Sequence, residues 1–163
     1  MRKPLFALAL FSLLLSACGY YSFKGALPSY LNSVAVPLFD DRSAWPDIRE
    51  KVTDSVINGF VDDNTLKVVD ESKAAVLLTG TILSVNRVEQ AVEQGENVTE
   101  YRLIVKVKVK CEDVRASKKM YDKTFEAYTL LQSNAGQDEI DAAVDEALKI
   151  ITEDIVNTTL SGW

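Results

Sequence analysis

The sequence contains no histidine, and this absence removes several classes of enzyme at once. Without histidine there is no Ser-His-Asp triad, no imidazole general base and no histidine ligand for a metal ion. The seven glycines are scattered along the chain and do not form a phosphate-binding loop. We therefore predict that the chain is not an enzyme, and we predict neither a metal site nor a cofactor.

Cysteine is also scarce, because only Cys18 and Cys111 occur among 163 residues. A chain of this length can bury a core that is large enough to fold without disulfide bonds. Cys111 lies on the apolar side of a predicted strand, where a thiol usually acts as a small buried hydrophobic group. The residues before Cys18 suggest a different role for that cysteine.

Cys18 follows a segment that has the three parts of an export signal. Positive charge at Arg2 and Lys3 is followed by a mostly apolar stretch at residues 5–15 and then by two small residues. Eleven apolar residues are too few to span the ~30 Å hydrocarbon core of a bilayer. The motif Leu-Ser-Ala-Cys matches the site at which bacterial lipoproteins are acylated and cleaved. The alternative is an ordinary signal peptide that is cut nearby, with Cys18 as a structural thiol.

Cleavage at this site would leave a strongly acidic chain. Losing Arg2 and Lys3 leaves 16 basic and 24 acidic residues, a net charge of −8. We predict no nucleic-acid partner, because phosphates require a basic surface. Acyl chains on a cysteine would instead tether the protein to a membrane. We expect residues 1–17 to be a lipoprotein signal peptide, 18–32 an acylated anchor with a short lead segment, and 33–163 a single domain.

Two hydrophobic periodicities follow each other along this domain. Apolar residues about four apart at 48–60 predict an amphipathic helix that opens at residues 45–47 and stops near 62–64, and a second such helix is predicted from about 137 to 160. Apolar and alternating stretches predict strands, with a turn at residues 94–97. The predicted strands are at 33–39, 66–69, 75–92, 98–114 and 119–131. The order β-α-β-β-β-β-α predicts an α+β fold, a two-layer sandwich with two helices on one face of a mixed four- to five-stranded sheet.

The strand at 98–114 has apolar odd-numbered residues and mostly cationic even-numbered residues, which project to opposite faces. If the helices cover the apolar face, the other face is open to water or to a partner. A hairpin turn near Ala116 would set Lys110 opposite Asp122 and Lys106 opposite Glu126, so that cross-strand pairs neutralise part of the charge. The candidate lipid- or partner-binding residues of this face are Arg102, Ile104, Lys106, Lys108, Lys110 and Tyr128.

Apolar side chains are expected among these cations. Leu130 shares the face with Tyr128, and we expect Leu78 and Ile82 of the preceding strand to lie there too. Cationic groups interspersed with apolar ones suit an amphiphile with anionic head groups, or the wall of a partner protein.

Several short motifs give the chain a resemblance to a known family. Cys-Gly-Tyr begins at Cys18, Asn-Ser-Val-Ala-Val-Pro-Leu-Phe covers 32–39, Leu-Lys-Val-Val covers 66–69, and Ala-Ala-Val-Leu-Leu-Thr-Gly covers 74–80. Their order and spacing resemble the LptE-type lipopolysaccharide-assembly lipoproteins. The resemblance implies an outer-membrane lipoprotein, lipid-anchored on the periplasmic side. It also implies a protein that plugs and helps assemble the β-barrel lipopolysaccharide translocon and that binds lipopolysaccharide.

Two other groups of exported lipoproteins share this order and spacing of motifs, and they are the alternative interpretations of the sequence. Curli-type secretion subunits need long hairpins in addition to the sandwich, and this chain has too few residues for both. Peptidoglycan-synthase activators usually carry a disordered spacer, and no such spacer follows Cys18.

Overall fold

The computed structural model of the protein describes residues 27–90 and 100–161. The expected acylation site at Cys18 and the expected turn at 94–97 lie outside the described residues. The strands are β1 (Ser33–Ala35), β2 (Asp40–Asp41), β3 (Lys67–Val68), β4 (Val76–Glu89), β5 (Glu100–Asp113) and β6 (Lys118–Gln132). The helices are α1 (Ile48–Asp63) and α2 (Gln137–Ser161). Neither of these two described helices has the length and apolar character needed to cross a membrane.

The described strands form one mixed sheet in the order β3-β1-β4-β5-β6, and the short β2 also pairs with β4. β1 runs parallel to β3 and β4, whereas β5 is antiparallel to both of its neighbours. The predicted α+β sandwich is therefore confirmed. Two details differ: the strand predicted at 33–39 covers only Ser33–Ala35, and the short β2, which begins after residue 39, raises the number of described strands to six. Pro37 lies in the gap between β1 and β2, where it has no backbone N–H to donate to a ladder.

Both helices bury the predicted apolar stripe against one face of the sheet, which we call the inner face. The buried stripe of α1, at most 1% exposed, consists of Ile48, Val52, Val56 and Phe60. α1 ends at Asp63, and Asn64 follows in the left-handed conformation at φ 57°. The Asn64 N–H donates to the Phe60 carbonyl over 3.0 Å, which satisfies one of the free carbonyls at the helix end.

The odd-numbered residues of β5 supply the centre of the core on this inner face. Leu103, Val105, Val107, Val109 and Cys111 are all fully buried. Burial raises the pKa of the Cys111 thiol to about 12, so the group remains a neutral thiol at physiological pH. The prediction that Cys111 is a small buried hydrophobic group is confirmed.

The expected position of Leu78 and Ile82 on the opposite face is wrong. In the β4–β5 register Leu78 lies opposite Cys111 and Ile82 opposite Val107, and both leucine and isoleucine are fully buried in the core. Directly opposed residues of an antiparallel pair share one face of the sheet. Leu78 and Ile82 therefore point toward the helices.

Candidate ligand-binding face

The face of β4, β5 and β6 that turns away from α1 and α2 is here called the outer face. All six residues predicted for the open face project from it: Arg102, Ile104, Lys106, Lys108, Lys110 and Tyr128. Tyr128 lies directly opposite Ile104 in the β5–β6 register. The sequence therefore identified which side chains share this surface, because β5 alternates without interruption.

Three of the cations are held in ion pairs. Lys106 Nζ lies 2.9 Å from a Glu126 carboxylate oxygen, as the predicted register required. Lys110 lies opposite Asp122 as predicted, but their expected ion pair is wrong. Lys108 Nζ contacts Asp122 at 3.3 Å instead, and Lys110 Nζ contacts a Glu112 oxygen at 2.8 Å.

A lysine stem is long enough to reach a diagonal neighbour, so the directly opposed residue need not become its partner. All of these side chains are substantially exposed, and each pair contributes about 0–1 kcal/mol. The effect of the acids is therefore to neutralise the lysines more than to stabilise the sheet.

Arg102 differs from the lysines, since no ion pair involves it within residues 27–90 and 100–161. Its guanidinium carbon lies 4.5 Å from the centroid of the Tyr128 ring, the geometry of a cation–π contact. The Arg102 Nε is buried and has no hydrogen-bond partner among the described residues. Its cross-strand neighbours are the apolar Val88 and Leu130. Arg102 is thus a cation without an ion-pair partner among the described residues, placed between two apolar cross-strand neighbours.

Charge and apolar area are separated along the outer face. Toward the β5–β6 turn the face carries hydroxyl and charged groups, namely Thr79, Thr81, Lys108, Lys110 and Asp122. Toward the other end it exposes large apolar side chains, with Val88 47%, Tyr128 54% and Leu130 53% exposed. Such a surface matches an amphiphilic ligand better than a purely polar or purely apolar one.

Val88 was missed by the sequence reasoning because β4 contains a bulge between Ile82 and Ser84. A bulge inserts one extra residue and exchanges the two faces for every residue after it. Even-numbered residues of β4 therefore point inward before the bulge and outward after it. The strand pattern carries no signal that would locate the bulge.

Arg42 was also missed, because it lies outside the strands and helices predicted from the sequence. Its backbone N–H donates to the Ile82 carbonyl over 3.0 Å, which brings the residue to the rim of the outer face. There it lines a shallow cavity of about 290 Å³ together with Lys108 and Lys110.

The chain enters the sheet at the end opposite the apolar half of the outer face. The Tyr30 hydroxyl donates to a carboxylate oxygen of Asp113 over 2.7 Å, and the Arg115 guanidinium lies 5.3 Å from the Tyr30 ring centroid. Hydrogen bonds from the Ala116 N–H and then from Tyr30 hold the pKa of Asp113 below its usual range. Arg102 lies eleven residues back along β5, roughly 35 Å away at ~3.3 Å per residue.

Solved structures share this fold at low sequence identity. A protein from Xanthomonas campestris has a TM-score of 0.62 and 13% identity, over 83% of this chain and 89% of its own. Rare lipoprotein B from Shewanella oneidensis has a TM-score of 0.58 and 17% identity, over 80% and 96%. A minor lipoprotein from Acinetobacter baumannii has a TM-score of 0.55 and 13% identity, over 81% and 94%. These identities show a common fold and no more.

Sequence comparison is more specific than the structural likeness. The curated protein sequences contain no significant match. The model of the family described as LptE, lipopolysaccharide-assembly, matches residues 31–159, which include every described strand and nearly all of both helices. The chain therefore belongs to the LptE lipopolysaccharide-assembly family.

Proposed function

We propose that the protein is a non-enzymatic outer-membrane lipoprotein that plugs the β-barrel lipopolysaccharide translocon, assists its assembly and binds lipopolysaccharide. Family membership supports the role in lipopolysaccharide assembly and favours it over the activator and curli-type alternatives. The observation that carries the ligand-binding part is Arg102, an arginine without an acidic partner among the described residues in the apolar half of the outer face.

Arginine and its neighbours suit the chemistry of lipopolysaccharide, which combines phosphate groups with acyl chains. A guanidinium binds phosphate through two parallel hydrogen bonds, whereas a lysine acts as a point charge. The guanidinium lies over the Tyr128 ring, and Val88 and Leu130 are the cross-strand neighbours of Arg102. The phosphate would contact Arg102, and the acyl chains would cover the three exposed apolar side chains. The paired lysines would contribute less, because their acids already neutralise them.

The barrel is the second partner in this proposal. The interior of a transmembrane β-barrel is polar, and the charged half of the outer face offers it a surface of matched ion pairs. Docking there would leave the lysines paired. The two halves of the face thus have different roles, with the protein partner at the charged half and the lipid at the apolar half.

The ligand role predicts a selective effect of charge reversal at one residue. Arg102→Glu should weaken binding of purified lipopolysaccharide at least tenfold, about 1.4 kcal/mol, because it replaces the phosphate-binding group by a repelling one. Binding is measured with fluorescent lipopolysaccharide at low ionic strength, where screening is weak. The matched control is Lys106→Gln, which removes a cation that Glu126 already neutralises and should change affinity less than twofold.

Co-purification of the Arg102→Glu variant with the translocon barrel shows whether Arg102 contacts the lipid or the barrel. The lipid role is supported if the variant folds and still associates with the barrel but no longer binds lipopolysaccharide. Unchanged lipopolysaccharide binding would refute it. Loss of barrel association with intact lipid binding would assign Arg102 to the protein interface.

We further propose that residues 1–17 are the signal peptide, that Cys18 is the acylated first residue of the mature chain, and that 33–163 is the single domain. Cys18→Ala should then leave unprocessed precursor or a mislocalised protein, because acylation of the thiol precedes cleavage. Membrane fractionation and intact-mass spectrometry measure both effects. A mature form of the unsubstituted protein with a free Cys18 thiol would contradict the proposal.

A further inference from the structure

The net charge of the protein is concentrated in α1 and α2, which together are here called the helix layer. α1 carries two basic and four acidic residues, and α2 carries one basic and seven acidic residues, so the net charge of the helix layer is −8. The chain from residue 18 onward has the same net charge of −8. The rest of that chain is therefore neutral on balance, with 13 basic and 13 acidic residues.

The helix layer also exposes an apolar side chain among these acids. Ile150 of α2 is 38% exposed. On the surface of a helix, a side chain has its neighbours three and four positions away. The exposed neighbours of Ile150 at these positions are Glu146, Glu153 and Asp154. None of the three carboxylates forms an ion pair within residues 27–90 and 100–161.

Lys149 is the single cation of α2, and it cannot balance all three of these acids. It lines a groove between the two helices together with Glu153. Glu146 and Asp154 lie one turn before and one turn after Ile150 and are not among the residues that line this groove. Acids thus outnumber the cation three to one around Ile150.

Leu130 on the outer face is the counterpart of Ile150, but the charge beside it has the opposite sign. Leu130 is 53% exposed, and its direct cross-strand neighbour is Arg102. Both apolar side chains would gain from contact with an acyl chain, so the hydrophobic effect favours either surface. The adjacent charge distinguishes them, because lipopolysaccharide brings its phosphates together with its acyl chains.

The two surfaces act on a ligand separately at physiological salt. The sheet and a helix of about 10 Å diameter separate the outer face from the far side of the helix layer. The Debye length at physiological ionic strength is ~8 Å. The cations of the outer face therefore do not offset the field of the helix layer, and an approaching anion responds to the surface that it meets.

We propose that the acids of the helix layer keep lipopolysaccharide away from the apolar surface of the helices, so that the ligand contacts the outer face alone. Glu146, Glu153 and Asp154 determine this specificity at Ile150. Repulsion from the wrong surface contributes to specificity as attraction to the right one does. The inference deepens the proposed function and rests on it, since the ligand is the lipopolysaccharide assigned to the outer face.

The test maps the contacts of purified lipopolysaccharide by photo-cross-linking. A benzophenone side chain is placed at position 130 or at position 150 of the full chain in detergent. The salt concentration is about 0.15 M, and a chelator is present because divalent cations would bridge carboxylates to phosphates. We expect about tenfold more cross-linking at position 130, because uncompensated carboxylates repel the phosphates at position 150.

Neutralising the three acids should open the second surface to the ligand. The triple variant Glu146→Gln, Glu153→Gln, Asp154→Asn keeps the size of each side chain, and exposed substitutions of this kind have little effect on the fold. Cross-linking at position 150 should rise at least threefold in this variant, whereas cross-linking at position 130 should not change. Salt of about 1 M, where the Debye length is ~3 Å, should raise the yield at position 150 in the unsubstituted helix layer as well.

A matched control neutralises three other acids of α2 and changes the net charge equally. Asp138→Asn, Glu139→Gln and Asp141→Asn lie at least nine residues from Ile150, about 14 Å along the helix axis and beyond the Debye length. The glutamine at position 139 keeps an oxygen that can accept the Gly136 N–H, as Glu139 does. The control should leave cross-linking at position 150 unchanged.

Three results would overturn the inference. The first is equal cross-linking at the two positions in the unsubstituted helix layer, and the second is no increase at position 150 in the triple variant. The third is an equal increase in the control, which would assign the effect to net charge. A lack of cross-linking at position 130 would count against the lipid role of the outer face. The triple variant would still measure exclusion at position 150 in that case, so the two failures are distinguishable.

Discussion

Replacing Val107 by Asp is expected to unfold the protein. Val107 is fully buried at the middle of β5, opposite Ile82 on β4 and Phe125 on β6. A carboxylate placed there would have no partner, and burial of an unpaired ionised group costs at least several kcal/mol. Domains of this kind are stable by only about 5–15 kcal/mol. Circular dichroism and urea titration measure the loss.

The matched control is the neighbouring residue on the same strand. Lys108→Asp introduces the same side chain on the outer face, where water solvates it. The variant breaks the exposed pair with Asp122 and adds a like charge, so we expect a loss of at most about 1 kcal/mol. Similar losses at Val107 and Lys108 would mean that the faces of β5 are assigned the wrong way round.

The difference between β5 and β4 shows what a sequence can predict about a sheet. The side chains of β5 alternate between the two faces along all 14 residues, and the register shift in its pairing with β6 comes from an extra residue in β6, so parity alone assigns each β5 side chain to a face. β4 has the same length but contains a bulge after Ile82, which reverses parity within the strand. A bulge is set by how the backbone fits its neighbours. Hydrophobic alternation therefore could not place Leu78, Ile82 and Val88 correctly.

In the candidate site, the sequence predicted which residues lie opposite each other but not which side chains form ion pairs. The hairpin near Ala116 fixed the register, so the opposition of Lys106 to Glu126 and of Lys110 to Asp122 was predictable. The choice of Lys108 as the ion-pair partner of Asp122 was not predictable, because it depends on the conformations of long exposed side chains. Arg42 reaches the outer face through tertiary pairing of a two-residue strand, which leaves no periodic pattern in the sequence.

Gly80→Ala is expected to destabilise the protein by about 3 kcal/mol, the upper part of the range for overpacking a core. Gly80 lies on β4 opposite Val109, and a Cβ at this position would overlap the ring of Phe39. That ring is almost fully buried and has little room to move. The Phe39 N–H donates to the Thr53 hydroxyl of α1 over 3.1 Å, so a shift of Phe39 would also disturb its contact with the helix.

A matched control and a second substitution identify the ring as the cause. Gly136→Ala adds the same methyl group where no atom lies within 4 Å, and it should change the unfolding free energy by less than about 1 kcal/mol. Phe39→Leu shortens the side chain above Gly80 and makes room for the methyl group.

The double variant Gly80→Ala, Phe39→Leu should lose less stability than the two single losses together, with a coupling energy of about 1–2 kcal/mol. Chemical denaturation of the four proteins of the cycle measures this coupling. Strictly additive losses would show that the Phe39 ring does not cover Gly80. Because Phe39 lies between β1 and β2, a positive result would also establish that this buried ring anchors the segment between these two strands to β4.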